Sequence, residues 1–316
     1  MIVVVSYPED AHAARVIGLL HEEQHEVLLL NLADLPGGAT VSIDYADPRQ
    51  PVIDYRREGM PPVDLASAAA IWWRRPQLAD SSGVPDYDAR MFTANEWNEA
   101  ANGIWHLCRG RWMNRPDRDE VASRKAYQLR IAAEAGLRVP RTLITSDPGR
   151  ARAFIEAEGV GRTIFKTFSA THAIWRETRV VTRDELEMLD AVRLAPVIFQ
   201  ELIPAGVDVR VTIVGDRLFP AAIDARHSDY PTDFRMSLGQ ARTEPTTLPD
   251  AVGRRLLAVM SRLGLAYGAV DMRRTPEGDH VFLEVNTAGE FLFVEDRTGQ
   301  PISRALAEWL AADAAN

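Results

Sequence analysis

The chain has 316 residues, 46% of them hydrophobic and 26% charged, with a formal net charge of −9. That length buries substantial cores and fits two or three lobes of an ordinary soluble globular protein. The acidic balance excludes a general binder of nucleic acid or of anionic membranes, which need a basic face, but leaves room for a local basic pocket.

The amino terminus, Met1-Ile2-Val3-Val4-Val5-Ser6, reads as a β-branched strand with no basic leader or cleavage pattern. No segment reaches the about 20 continuous apolar residues of a membrane span, so a soluble cytoplasmic protein is expected. The stretch from Asp10 to Glu22 has helical periodicity, and Glu26 to Asn31 supplies a second strand. This β-α-β opening belongs to an open α/β sheet. It lacks the Gly-x-Gly-x-x-Gly turn of a dinucleotide site. Val41–Tyr45 and Val52–Tyr55 alternate as strands and predict a hairpin across Asp47-Pro48. The apolar run ending in Ile71-Trp72-Trp73 predicts a buried strand that leads into Arg74-Arg75-Pro76, and a helix is expected from about Ala89 to Cys108. Cys108, the single cysteine, cannot form an internal disulfide; within Ile104-Trp105-His106-Leu107-Cys108 it reads as a buried structural thiol.

A second unit begins near Asn114-Arg115-Pro116. Asp117 and Asp119 are expected to cap a helix reaching Ala135, which Gly136 ends. Thr142–Thr145 reads as a strand, Pro148–Glu158 as a helix, Thr163–Thr167 as a strand, Arg183–Ala191 as a helix and Val197–Gln200 as a strand. Farther on, Val207–Val214 and Leu218–Ile223 form a hairpin about Gly215-Asp216. Arg254–Leu263 is expected as a helix, Gly268–Arg273 and His280–Val285 as strands, and an apolar stripe of Ile302, Leu306, Trp309 and Leu310 marks a final helix.

Among 36 basic residues only Lys125 and Lys166 are lysines. A compact ammonium on a flexible stem suits phosphate oxygens as a point charge, where a planar guanidinium does not serve equally. Lys125 opens a helical stretch and Lys166 ends an apolar strand, which suggests a nucleoside triphosphate held between two lobes. Glu284 and Asn286 lie two apart on a strand and so share one face, and Asp271 sits on the strand expected beside them. These hard oxygen donors suit Mg²⁺ completed by nucleotide phosphates. Asp208 and Arg210 likewise share a strand face, with Arg210 suited to three phosphoryl oxygens. Backbone groups in Phe199–Pro204 are placed to read an adenine edge. His227, with Ser228–Phe234, is expected at the mouth of the site, with no role assigned.

The order of these residues resembles the ATP-grasp superfamily from about Asn114 to Asn286. The resemblance implies an α/β fold of three lobes: an N-terminal α/β domain (1–115), a central lobe (116–200) and a C-terminal antiparallel lobe (201–316). It further implies that Lys125 and Lys166 hold ATP phosphates, that Glu201, Leu202 and Ile203 contact adenine and Asp208 the ribose. Asp271, Glu284 and Asn286 would bind two Mg²⁺ ions, with Arg210 and Lys166 as catalytic cations. Thr167-Phe168-Ser169-Ala170-Thr171-His172 departs from the glycine-rich loop usual after the second lysine.

Further strings are similar to those of graspetide (microviridin-type) peptide maturases. They are Ile71–Pro76, Lys166–Ser169, Asp233-Phe234-Arg235, and Gly289–Glu295 with Thr298–Ile302; Asn286-Thr287-Ala288-Gly289 departs from that pattern. The resemblance implies an ADP-forming ligase that joins Asp or Glu side chains to Ser, Thr or Lys side chains of a ribosomal precursor peptide, leader plus acidic core. It admits a homodimer. A ligase adding an amino acid to a small molecule or protein terminus, like the ribosomal-protein glutamate ligases, is the alternative; an ATP-binding module without ligase activity is the other.

Overall fold

A computed structural model describes residues 1–168, 178–204, 206–226, 239 and 241–312. Ser169, Ala170, Thr171, His172, His227, the loop Ser228–Phe234 and the string Asp233-Phe234-Arg235 lie outside the described residues.

The N-terminal unit contains β1 (Ile2–Val5), α1 (Ala11–Glu22), β2 (Val27–Leu30), β3 (Ala39–Asp44), β4 (Val52–Arg57), β5 (Val63–Asp64), β6 (Ala70–Trp73), α2 (Tyr87–Leu107) and β7 (Arg111–Met113). β1 is buried throughout, as its unbroken β-branched run requires of a central parallel strand. The sheet runs β2-β1-β6-β7, all parallel. Asp10 caps α1, its Oδ1 accepting the His12 N–H at 3.0 Å. The expected hairpin is β3–β4, with Val41 opposite Tyr55, and β5 adds a third strand.

The helix expected from Asp117 to Ala135 is two helices, α3 (Pro116–Ala122) and α4 (Lys125–Glu134). Neither aspartate caps α3, which starts at Pro116 without a side-chain cap. Ser123 closes α3 by donating from Oγ to the Glu120 carbonyl at 2.7 Å, and the Gln128 amide reaches back to the Ala122 carbonyl at 2.6 Å. These side-chain bonds replace the helical ladder at the break. Lys125 is thereby the first residue of a new helix.

The central elements are β8 (Thr142–Thr145), α5 (Pro148–Glu158), β9 (Thr163–Lys166), β10 (Arg179–Val180), α6 (Arg183–Glu187) and β11 (Val197–Glu201), with sheet order β10-β9-β11-β8. α6 stops at Glu187 rather than Ala191. A 3₁₀ stretch follows over Leu189–Leu194, and its buried residues, Leu189 and Val192, recur at the three-residue period of that helix.

The last group is β12 (Val207–Val214), β13 (Arg217–Asp224), β14 (Arg242–Pro245), α7 (Asp250–Leu263), β15 (Tyr267–Arg274), β16 (His280–Asn286), α8 (Leu292–Thr298) and α9 (Ile302–Ala311). Its five strands run β14-β13-β12-β15-β16, antiparallel throughout. One face of this sheet packs on α3, α4 and α7 through Val209, Val211, Val270, Phe282, Ile131, Leu256 and Val259. A separate core joins α1, β1 and β6 to α8 and α9 through Val16, Leu20, Trp72, Phe291, Leu306 and Leu310. Among the described residues no helix is long and apolar enough to cross a membrane.

Candidate active site

With one face of the five-stranded sheet committed to the core, alternation sends Asp208 and Arg210 of β12, and Asp271 and Arg273 of β15, to the other. Register sets Asp208 opposite Arg273, Arg210 opposite Asp271, and Asp271 opposite Glu284. Between Asp271 and Met272 the pairing skips Leu283, so β16 advances two residues for one on β15. This bulge turns Phe282 into the core while Glu284 faces the site; plain alternation would have put both on one face.

The face is lined by ion pairs. Arg273 donates from Nε and Nη2 to the two Asp208 oxygens at 2.9 and 3.0 Å, and both side chains are buried. Arg210 Nη1 donates to Asp271 Oδ2 at 3.0 Å, again buried. Lys125 Nζ, delivered by the first turn of α4, donates to Glu284 Oε2. The two buried pairs, Asp208–Arg273 and Arg210–Asp271, tolerate the loss of one partner badly. Asn286 is exposed at the end of β16, its Oδ1 accepting the Ala288 N–H at 3.1 Å.

Two amides that the sequence reading did not single out fix this arrangement. Gln128 acts as an extra strand edge: its Oε1 accepts the Val285 N–H at 3.0 Å and its Nε2 donates to the Val285 carbonyl at 2.8 Å. Asn114 accepts from the Ala266 and Tyr267 N–H groups and donates to the carbonyls of Tyr267 and Thr287. Nearby, burial raises the Asp119 carboxyl above its usual range against the hydrogen bond from Thr287. Arg273 was missed too; its two-residue spacing from Asp271 on an expected strand was the available signal.

The structure thus joins Asp208, Arg210, Asp271, Glu284 and Lys125 in one patch, with Asn286 at its end. Lys166 ends β9, in register with Ile198, and Glu201 ends β11, opposite Thr163. The Glu201 and Leu202 N–H groups donate to the Arg141 and Arg162 carbonyls at 2.9 and 2.8 Å, and Ile203 is buried. Cys108 is buried, and burial pushes its thiol up to about 12, as expected of a structural cysteine.

Asp271, Glu284 and Asn286 are hard oxygen donors on adjacent strands, a set that fits Mg²⁺. Among the described residues no three His, Cys, Asp or Glu side chains gather as a metal cluster. Two carboxylates and one amide leave coordination places for oxygens from elsewhere, which suits an ion bound together with phosphates.

A central sheet and an antiparallel sheet with a basic and acidic floor, joined through Glu201–Ile203, define the ATP-grasp class of α/β folds. The model of the RimK-like ATP-grasp domain matches residues 122–310, more than half of the chain, and the chain belongs to that family. Macrocyclase MdnC from Microcystis aeruginosa, solved bound with precursor peptide MdnA, is similar over 99% of both chains, with 26% identity and a TM-score of 0.87. Macrocyclase MdnB from the same organism is 27% identical over 98% of both chains, with a TM-score of 0.82. The ATP-grasp ligase PsnB, solved with minimal precursor, Mg and ADP, is 26% identical over 98% of this chain and 96% of its own, with a TM-score of 0.80. A probable α-L-glutamate ligase from Psychromonas ingrahamii is 23% identical over 192 residues, which are 59% of this chain and 62% of that protein. The chain therefore spans less than two thirds of the curated relative.

Proposed function

We propose that this protein is an ATP-dependent, ADP-forming ligase that closes rings in a ribosomally made precursor peptide. One observation carries the reading: likeness to a peptide macrocyclase runs over 99% of the chain, whereas the glutamate-ligase match covers 59% of it. The lobes are 1–115, 116–200 and 201–316, with ATP held between the last two in the cytoplasm.

A carboxylate oxygen of a peptide Asp or Glu attacks the γ-phosphorus of ATP, the bond to the bridging oxygen breaks, and ADP leaves. The hydroxyl of a peptide Ser or Thr, or the amine of a Lys, then attacks the acyl carbon; phosphate departs and the attacking group loses its proton. The result is an ω-ester or ω-amide. Lys125 and Lys166 hold phosphate oxygens, Arg210 stabilises charge on the transferred phosphoryl group, and Ile203 supplies the N–H for the adenine edge. Asp208 serves the ribose end of the site. Asp271, Glu284 and Asn286 would hold two Mg²⁺ ions, which supply charge neutralisation on the phosphates. The protein contributes positioning and fixed positive charge.

The test is to search beside this gene for a reading frame that encodes a short Thr-, Ser-, Asp- and Glu-rich peptide, and to analyse that peptide by mass spectrometry after co-expression with the protein. Loss of one water per ring is expected, and Glu284→Gln, which removes a charge while keeping shape, should abolish it. Undiminished dehydration by Glu284→Gln contradicts the metal assignment. The glutamate-ligase match favours a second reading, in which the same acyl phosphate accepts an amino acid; a mass gain would select it.

A further inference from the structure

The N-terminal unit reaches the loop beyond Asn286 through one buried arginine. Arg74, at the end of the Ile71–Arg75 run, is 1% exposed. Its Nε donates to Asp10 Oδ2 at 3.3 Å, and Asp10 is itself held by Ser6 Oγ at 2.8 Å. Its Nη1 donates across the interface to the Ala288 and Gly289 carbonyls at 2.5 and 3.0 Å. The guanidinium carbon lies 5.9 Å from the ring centroids of both Trp72 and Phe291.

The same loop is held at neighbouring points. Tyr267 Oη donates to the Gly289 carbonyl at 2.7 Å, and Asn114 Nδ2 to the Thr287 carbonyl at 3.4 Å. Three consecutive carbonyls, 287 to 289, are thus fixed from outside the loop. A Cβ on Gly289 would stand 2.4 Å from the Ala269 Cβ, and Ala269 is in register with Asn286. The loop therefore folds tightly onto the strand position beside Asn286, where its Ala288 N–H orients the Asn286 oxygen.

We propose that Arg74, sharing the Gly289 carbonyl with Tyr267, is a positioning residue for the metal-ligand end of β16, and that through it the N-terminal unit is part of the metal site's scaffold. The inference rests on the metal role given to Glu284 and Asn286 above. A planar fork reaches Asp10 and two carbonyls together; a lysine ammonium in the same place does not.

The test is Mn²⁺ binding in the presence of ADP, followed by electron paramagnetic resonance, for the full chain and four variants. Arg74→Lys and Arg74→Met should weaken Mn²⁺ binding by about 10-fold or more, the scale for losing a group that orients a ligand. Tyr267→Phe, which leaves no unpaired charge, should shift it less in the same direction. Val16→Ala, in the same interlobe core, should lose stability and leave Mn²⁺ affinity unchanged. Unchanged affinity in Arg74→Lys, or equal weakening by Val16→Ala, overturns the proposal. Should the Arg74 variants fail to fold, unchanged affinity in Tyr267→Phe does so. Absence of Mn²⁺–ADP binding by the unsubstituted chain overturns the proposed function, and this inference with it.

Discussion

Asp208 and Arg273 neutralise each other through two hydrogen bonds in a desolvated sheet face, so removing the carboxylate takes two charge-assisted bonds from a buried guanidinium. Asp208→Ala should cost about 3–5 kcal/mol, read as a fall in the urea midpoint; an unchanged midpoint would show the pair to be dispensable. Arg210→Ala should lower ligation by about 10²-fold or more, the scale for one preorganised stabilising group. ATP affinity should change far less, and equal effects on rate and affinity would remove the catalytic role. A pH response belongs to His12. Burial and the Arg74 and Arg75 guanidiniums bring it down from 6.5 to about 4, against the pull of Asp10 and Glu290. Between 6.5 and about 4 the unfolded chain takes a proton that the folded chain refuses. Stability from this group therefore rises with pH across that window and is lost as pH falls through it. His12→Gln should flatten the dependence of Tm on pH there, and an unaltered slope would contradict the assignment. Lys125, Arg210, Asp271 and Glu284 were legible as single residues because lysine scarcity and two-residue spacing on strands leave marks in a sequence. Their pairing was not, since partners meet through register between strands far apart in the chain.

At the scale of elements, the site depends on an α4 that starts at Lys125 and a β16 that bulges at Leu283. Gln128 ties these two together by closing both backbone groups of Val285. Gln128→Glu keeps one acceptor but removes the donor to the Val285 and Ala122 carbonyls. Each buried carbonyl left without a donor should cost about 1–3 kcal/mol. Hydrogen exchange in β16 should quicken as well, and protection equal to that of the unsubstituted chain would contradict the role. β12, with β-branched residues at alternate positions, was legible, as was the apolar stripe of α9. The α3–α4 break was not, because it is made by Ser123 and Gln128 side chains acting on backbone carbonyls. Nor were β14, a polar edge strand of Arg242-Thr243-Glu244-Pro245, or α8, a seven-residue helix with only three apolar residues, Leu292, Phe293 and Val294. The bulge is likewise silent in sequence, although Phe282 and Glu284 at alternate positions pose the conflict it resolves.

For the whole molecule, the contacts that matter most join distant segments: α1 to α9, Arg74 to Gly289, Asn114 to Thr287. Family motifs made the three-lobed fold legible, while the clasp between its first and last parts needed coordinates. The central claim is that one ATP is cleaved for each peptide bridge formed. The direct measurement counts ADP and peptide mass in the same purified reaction, using a candidate precursor peptide. The account predicts one ADP per water lost. ADP formed without loss of mass, or with a gain of one amino acid, would contradict it.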